Sequence, residues 1–109
     1  MKDRVGRHRY VVFQVEGGEN LETGEMIQAL QEASTSLAQD ARPWLVLFRR
    51  GQGIVRCSHI HKEEVIQLLQ SIREAGGREV RIRTLGTSGT VRRAMKKYMA
   101  PSSQGGNQP

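Results

Sequence analysis

The chain contains a single cysteine, Cys57, so no intrachain disulfide can form, which fits a reducing compartment. No apolar run approaches the ~20 residues that a membrane-spanning helix needs, and the first residues lack the apolar core of a signal peptide. Both absences lead to the expectation of a soluble, intracellular protein that meets no membrane. Catalytic signatures are missing as well: there is no Gly-x-Ser-x-Gly, no His-Glu-x-x-His and no P-loop. The acidic residues lie mainly in helical segments and do not pair as a general acid and base would. Acids are also the minority charge, 11 against 17 Lys and Arg, for a net charge of +6 over 109 residues.

That excess is local. Residues 76–100 carry Arg78, Arg81, Arg83, Arg92, Arg93, Lys96 and Lys97 against Glu79 alone, so this one stretch holds the whole net charge. A charge gathered on one segment is the footprint of a polyanionic partner, most often nucleic acid.

Read along the chain, residues 1–9 form a basic arm and Tyr10–Glu16 a strand rich in β-branched and aromatic residues, ended by Gly17-Gly18. Glu19, Glu22 and Glu25 precede Met26, Leu30, Ala33 and Leu37, whose offsets predict a helix, broken at Ala41-Arg42-Pro43. Trp44–Arg49 and Ile54–His59 read as two strands joined by the tight turn Arg50-Gly51-Gln52-Gly53. A second helix from Lys62 to Ala75 shows Val65, Leu68, Leu69 and Ile72 on one face and is capped by Gly76-Gly77. Glu79–Leu85 alternates as a fourth strand, and a third helix spans about Val91 to Met99. The polar segment 101–109 is expected to be a disordered tail, leaving 10–100 as the domain.

The order β-α-β-β-α-β plus one helix predicts an α+β fold of ferredoxin-like, RRM-like type: a four-stranded antiparallel sheet with two helices on one face and an additional C-terminal helix. Alternation directs Val11, Phe13, Val15, Val55, Cys57, Val80 and Ile82 toward the two helices. Tyr10, Val12, Gln14, Ile54, Arg56, Ser58, Arg81 and Arg83 go to the other face, expected to be open to RNA or to a protein partner. The third strand offers Ile54, Arg56 and Ser58 there, without an aromatic, which argues against base stacking in the usual RRM manner.

The small-residue turn Gly86-Thr87-Ser88-Gly89-Thr90 leads into the basic helix. Ser88 or Thr90 suits a helix cap, and Gly86 and Gly89 permit close approach or positive φ. With Arg92, Arg93, Lys96 and Lys97 behind it, the segment reads as a phosphate cradle or, failing that, as a capped helix with a solvated basic face. Gly86-x-x-Gly89 has the spacing of a KH clamp loop, but that loop joins two helices whereas a strand precedes this one. Cys57-x-His59-x-His61 has ligand-like spacing, yet a zinc site needs three or four ligands and no second cysteine exists, so no metal site is assigned. An acylphosphatase-like enzyme of this topology needs an anion loop after the first strand, where Gly17-Gly18-Glu19 is acidic.

Three segments in order, Arg9–Phe13, Gly53–Ser58 and Val80–Ala94, resemble the ribonuclease P protein component 2 family across about residues 8–99. The resemblance implies an RRM-like, non-catalytic subunit of the enzyme that removes 5′ leaders from precursor tRNA. In that family the RNA carries the active site and the catalytic Mg²⁺, so no cofactor is expected on this chain. It further implies the ribonuclease P RNA as partner, precursor tRNA through the holoenzyme, and pairing with the TIM-barrel-like component 3, as a dimer of heterodimers. An archaeal form would be cytoplasmic and a eukaryotic one nuclear. The short hairpin Arg50–Gly53 departs from relatives with longer loops. Candidate RNA contacts are Arg81, Arg83, Ser88, Thr90, Arg92, Arg93, Lys96 and Lys97, with Arg56 and Arg9 beside them; no residue is assigned a catalytic role. The alternatives are a protein-binding adaptor of the same fold and a KH-like module.

Overall fold

The structure is a computed structural model and describes residues 8–99. The expected tail 101–109, and the basic arm up to residue 7, lie outside the described residues. Strand β1, His8–Glu16, starts two residues before the expected Tyr10, because His8 and Arg9 find partners in Ser58 and Cys57 of strand β3. Helix α1 is Thr23–Ala33, β2 is Trp44–Arg49, β3 is Gln52–Ser58 and helix α2 is Lys62–Ser71. A two-residue hairpin, β4 (Glu74–Ala75) with β5 (Arg78–Glu79), precedes β6, Arg81–Ser88. Helix α3 begins with Val91–Ala94 and widens into a π-helical turn over Met95–Met99.

The main sheet has the order β2-β3-β1-β6 with every neighbouring pair antiparallel, the expected ferredoxin-like arrangement. Helices α1 and α2 cover one face. Their buried side chains (Met26, Ala29, Leu30 and Val65, Leu68, Leu69) meet Val11, Phe13, Val15, Val55, Cys57 and Ile82, the residues alternation assigns to that side. Phe13 and Phe48 stack with centroids 6.2 Å apart across Gly53, which pairs with both. A Cβ on Gly53 would lie 2.5 Å from Phe13 Cζ, so this position admits the ring only because it has no side chain.

Both large helices stop earlier than periodicity suggests. α1 ends at Ala33 rather than near Pro43: the Ser34 hydroxyl donates to Leu30 O at 2.6 Å, and two 3₁₀ turns, Ser34–Ser36 and Gln39–Ala41, carry the chain onward. Leu37 lies past the helix yet still packs on the core. α2 ends at Ser71, and Gly76-Gly77 does not cap it. These glycines, at φ 61° and 77°, turn the β4–β5 hairpin, as Arg50-Gly51 at 52° and 77° turn β2 into β3. Positive φ at both turn residues matches the twist of the flanking strands.

The largest departure concerns the second face of the sheet, expected to be open. Val12 and Ile54, on the two central strands, are 0% exposed, sealed by Ala94 and Met99 of α3. Tyr10, Leu47, Leu85, Val91, Met95 and Tyr98 rim this second core. Burial of two such side chains is worth roughly 1.5–3 kcal/mol each, which explains why a short helix holds this position. The protein is thus three layers, with the sheet in the middle.

Candidate nucleic-acid interface

Strand β6 does not give way to a turn at Gly86. It continues through Ser88, with a bulge: Phe13 pairs with Thr84 and Val12 with Gly86, leaving Leu85 as the extra residue. The bulge puts Gly86 across from Val12, beneath α3. An ideal Cβ there would fall within the Tyr98 side chain, against Cζ, Cε1 and Oη. Gly86 is therefore the seat of the Tyr98 ring and not part of a phosphate cradle. Neither Gly86 nor Gly89 has positive φ, so the corner uses close approach alone.

The corner itself is Ser88-Gly89-Thr90. Thr90 is the N-cap of α3, its Oγ1 accepting the Arg93 N–H at 3.1 Å. Ser88 is buried at 9% exposure, and its Oγ lies 3.5 Å from the Thr90 N–H that it accepts. Ser88, named as a phosphate contact from sequence, is thus turned to the corner's own backbone, because the strand continues through it. The Arg9 guanidinium reaches the same corner: a Cβ at Gly89 would be 3.4 Å from its Nη1.

Helix α3 separates its two chemistries cleanly. Val91, Ala94, Met95, Tyr98 and Met99 line its sheet side, while Arg92, Arg93, Lys96 and Lys97 are all exposed. None of those four forms an ion pair with a described residue; Lys97 Nζ lies 5.6 Å from the Tyr98 ring centroid. Four unneutralised cations on about two helical turns repel one another, at a cost of a few tenths of a kcal/mol per i, i+4 pair. The packing beneath them, rather than helix propensity, holds them together.

The remaining candidates lie apart from that group. Arg81 and Arg83 are exposed at the opposite end of β6, where they pair with Glu16 and Gln14 in register. Arg83 Nε is 3.5 Å from Glu16 Oε2, so its charge is partly answered within the chain. Arg56 is exposed on β3, between Tyr10 of β1 and Trp44 of β2 in register. Arg56, Arg81 and Arg83 share the α3 side of the sheet, and their charges with those of α3 make one basic side.

Cys57-x-His59-x-His61 does not present one face. β3 ends at Ser58, and His59–His61 form a 3₁₀ turn in which His61 Nδ1 and Glu64 Oε1 are 2.7 Å apart. Cys57 is 3% exposed, and burial pushes its thiol up to about 11 against the smaller opposing pull of Lys62. Among the described residues there is no group of three or more metal-ligating side chains, and no helix is long and apolar enough to cross a membrane.

Two features escaped sequence reasoning. One is the apolar stripe of α3, legible as Val91, Ala94, Met95 and Tyr98 at i, i+3, i+4 and i+7. The other is Trp44, an aromatic left exposed on edge strand β2.

Residues 9–99 match the Rpp14/Pop5 family. The chain is 37% identical over 101 residues to ribonuclease P protein component 2 of Thermococcus kodakarensis, covering 86% of this chain and 84% of that one. It is 36% identical to the Thermococcus gammatolerans protein of the same name over the same shares. Against the Methanocaldococcus jannaschii protein the identity is 33%, over 85% of this chain and 73% of that one.

Proposed function

The chain belongs to the Rpp14/Pop5 family, and from that footing we propose that it serves as a protein subunit of ribonuclease P, binding and supporting the RNA that removes 5′ leaders from precursor tRNA. One observation carries the RNA-binding role: Arg92, Arg93, Lys96 and Lys97 stand exposed and without internal ion pairs to described residues on a helix fixed to the sheet. Such a surface screens phosphate repulsion and lets strands of a folded RNA approach each other. Arg56, Arg9 and Arg81 extend it, with Arg83 shared with Glu16. Thr90 contributes by capping the helix that bears the charges.

In this reading the chain performs no chemistry. The RNA is the catalyst and holds the Mg²⁺, and component 3 of the enzyme pairs with this chain, two such pairs joining as a dimer of heterodimers. The site of action is the cytoplasm.

The test is reconstitution of precursor-tRNA cleavage with and without the chain at limiting Mg²⁺. Cleavage should depend on it, and independence would defeat the assignment. Replacing Arg92, Arg93, Lys96 and Lys97 by Ala should weaken RNA binding. The slope of log K against log salt should flatten by up to about 2.8–3.6, at roughly 0.7–0.9 for each phosphate that is no longer neutralised. An unchanged slope removes α3 from the interface.

A further inference from the structure

Trp44 is the only tryptophan of the chain and is 66% exposed, at the start of edge strand β2. A large aromatic is thus left mostly in water at the edge of the sheet. Its surroundings are specific. In register it is the neighbour of Arg56, which is the neighbour of Tyr10, which pairs on its other side with Ser88 of the α3 corner. Four strands at ~4.8 Å spacing put the two ends of this row about 15 Å apart. Trp44 and Arg56 also line a concavity of about 580 Å³ with Arg42, His59, Ile60 and Asp40. Ile60 is 70% exposed, so the hollow has two bare apolar side chains on its walls. Its arginines, Arg42 and Arg56, outnumber its one acid.

We propose that this hollow takes one unpaired nucleotide of RNA, its base stacked on Trp44 and its flanking phosphates met by Arg56 and Arg42. This rests on the RNA-binding reading above and adds a base-recognising subsite to it. An aromatic face with arginines beside it is the combination that holds single-stranded nucleic acid, because every base has a π-face and every linkage a negative charge. An apolar protein surface fits less well, since it would have to desolvate Arg56 and Arg42, whose Nε meets the Leu37 carbonyl at 3.2 Å but whose charge no described acid pairs. The row Trp44–Arg56–Tyr10–Ser88 also leads from the hollow to the basic helix, so a single strand leaving the stacked base runs onto the proposed phosphate-binding surface. The subsite is displaced from the central strands because α3 occupies the space where bases would otherwise lie.

The lone tryptophan is its own reporter. The full chain is titrated with a short unstructured RNA oligonucleotide, and separately with the same strand annealed to its complement, while Trp44 emission and affinity are followed. Saturable quenching by the single strand and not by the duplex is expected. Trp44→Ala should weaken single-strand binding by about 5-fold to 100-fold, and Trp44→Phe should restore most of it. Arg56→Ala should lower the salt slope by about 0.7. If Trp44→Ala leaves single-strand affinity intact while the α3 alanine variant loses it, the stacking subsite is wrong and the RNA-binding reading stands. If neither variant changes affinity, both fail. If Trp44→Ala alters only self-association or co-elution with the component 3 protein, the hollow is a protein contact and the proposal is overturned.

Discussion

Gly86→Ala is the substitution whose outcome depends most directly on how α3 is seated. The backbone at Gly86 does not have positive φ, so alanine meets no conformational barrier there. In a strand, Gly→Ala would ordinarily gain ~0.5–1 kcal/mol through lower chain entropy in the unfolded state. Here the new methyl would enter the space of the Tyr98 ring. Either the ring and α3 shift outward, or β6 moves away from the second core. Overpacking of this kind costs ~1–3 kcal/mol, which exceeds the propensity gain. The expected result is net destabilisation of about 1–2 kcal/mol, a fall in Tm of roughly 4–15 °C for a domain of this size. Tyr98→Ala removes the obstacle, so in that background Gly86→Ala should become neutral or mildly stabilising. A double-mutant cycle by urea denaturation measures the coupling, expected at ~1–3 kcal/mol. If Gly86→Ala costs the same in both backgrounds, to within about 0.5 kcal/mol, the ring is not what excludes the methyl and the seating of α3 is misassigned.

The N-cap and the buried thiol give further tests. Thr90→Ala removes the acceptor for the Arg93 N–H and should cost ~0.5–2 kcal/mol in urea denaturation, whereas Thr90→Asp should keep the cap and stability but weaken RNA binding by placing an anion at the basic corner. Cys57, with its thiol pushed up to about 11, should resist alkylation near neutral pH until the chain is denatured; rapid labelling of the native protein would contradict its burial. Because the folded chain holds the neutral thiol, stability should fall as pH rises from the ordinary value of 9.0 toward about 11, and Cys57→Ala should remove that part of the decline.

Most of the fold was legible because one face of the central strands carries an apolar alternation. Val11-Phe13-Val15, Val55-Cys57 and Ile82 all lie where period-two reading assigns them. Helix ends were less legible, for local reasons: Ser34 competes for a backbone carbonyl at the end of α1, and a pair of glycines serves a hairpin as readily as a helix cap. The second face is harder to read because the charges of Arg92, Arg93, Lys96 and Lys97 mask the apolar stripe of α3. Its apolar positions are spaced just as regularly, and they supply the cover that Val12 and Ile54 require. The bulge at Leu85 has no sequence signature, yet it is what brings Gly86 under Tyr98.

The covered sheet changes how a protein of this topology meets RNA. On an open RRM-like sheet the central strands present aromatics, and bases lie flat across them. Here the central positions are Val12 and Ile54, and α3 closes over both. What remains accessible is peripheral: the outer side of α3, the arginines of β3 and β6, and Trp44 at the edge of the sheet. In the proposed reading, contacts of the first two kinds would go to phosphates, which set position and affinity but carry no sequence information. Recognition is thus weighted toward shape and charge, the demand made by a folded RNA whose strands must be held close together. The same helix that covers the sheet is the one that carries the cations, so in the proposed reading Gly86 and the second core would support RNA binding through the seating of α3. They fix four repelling charges on one short helix, and an extended phosphate backbone is a partner that would relieve that repulsion.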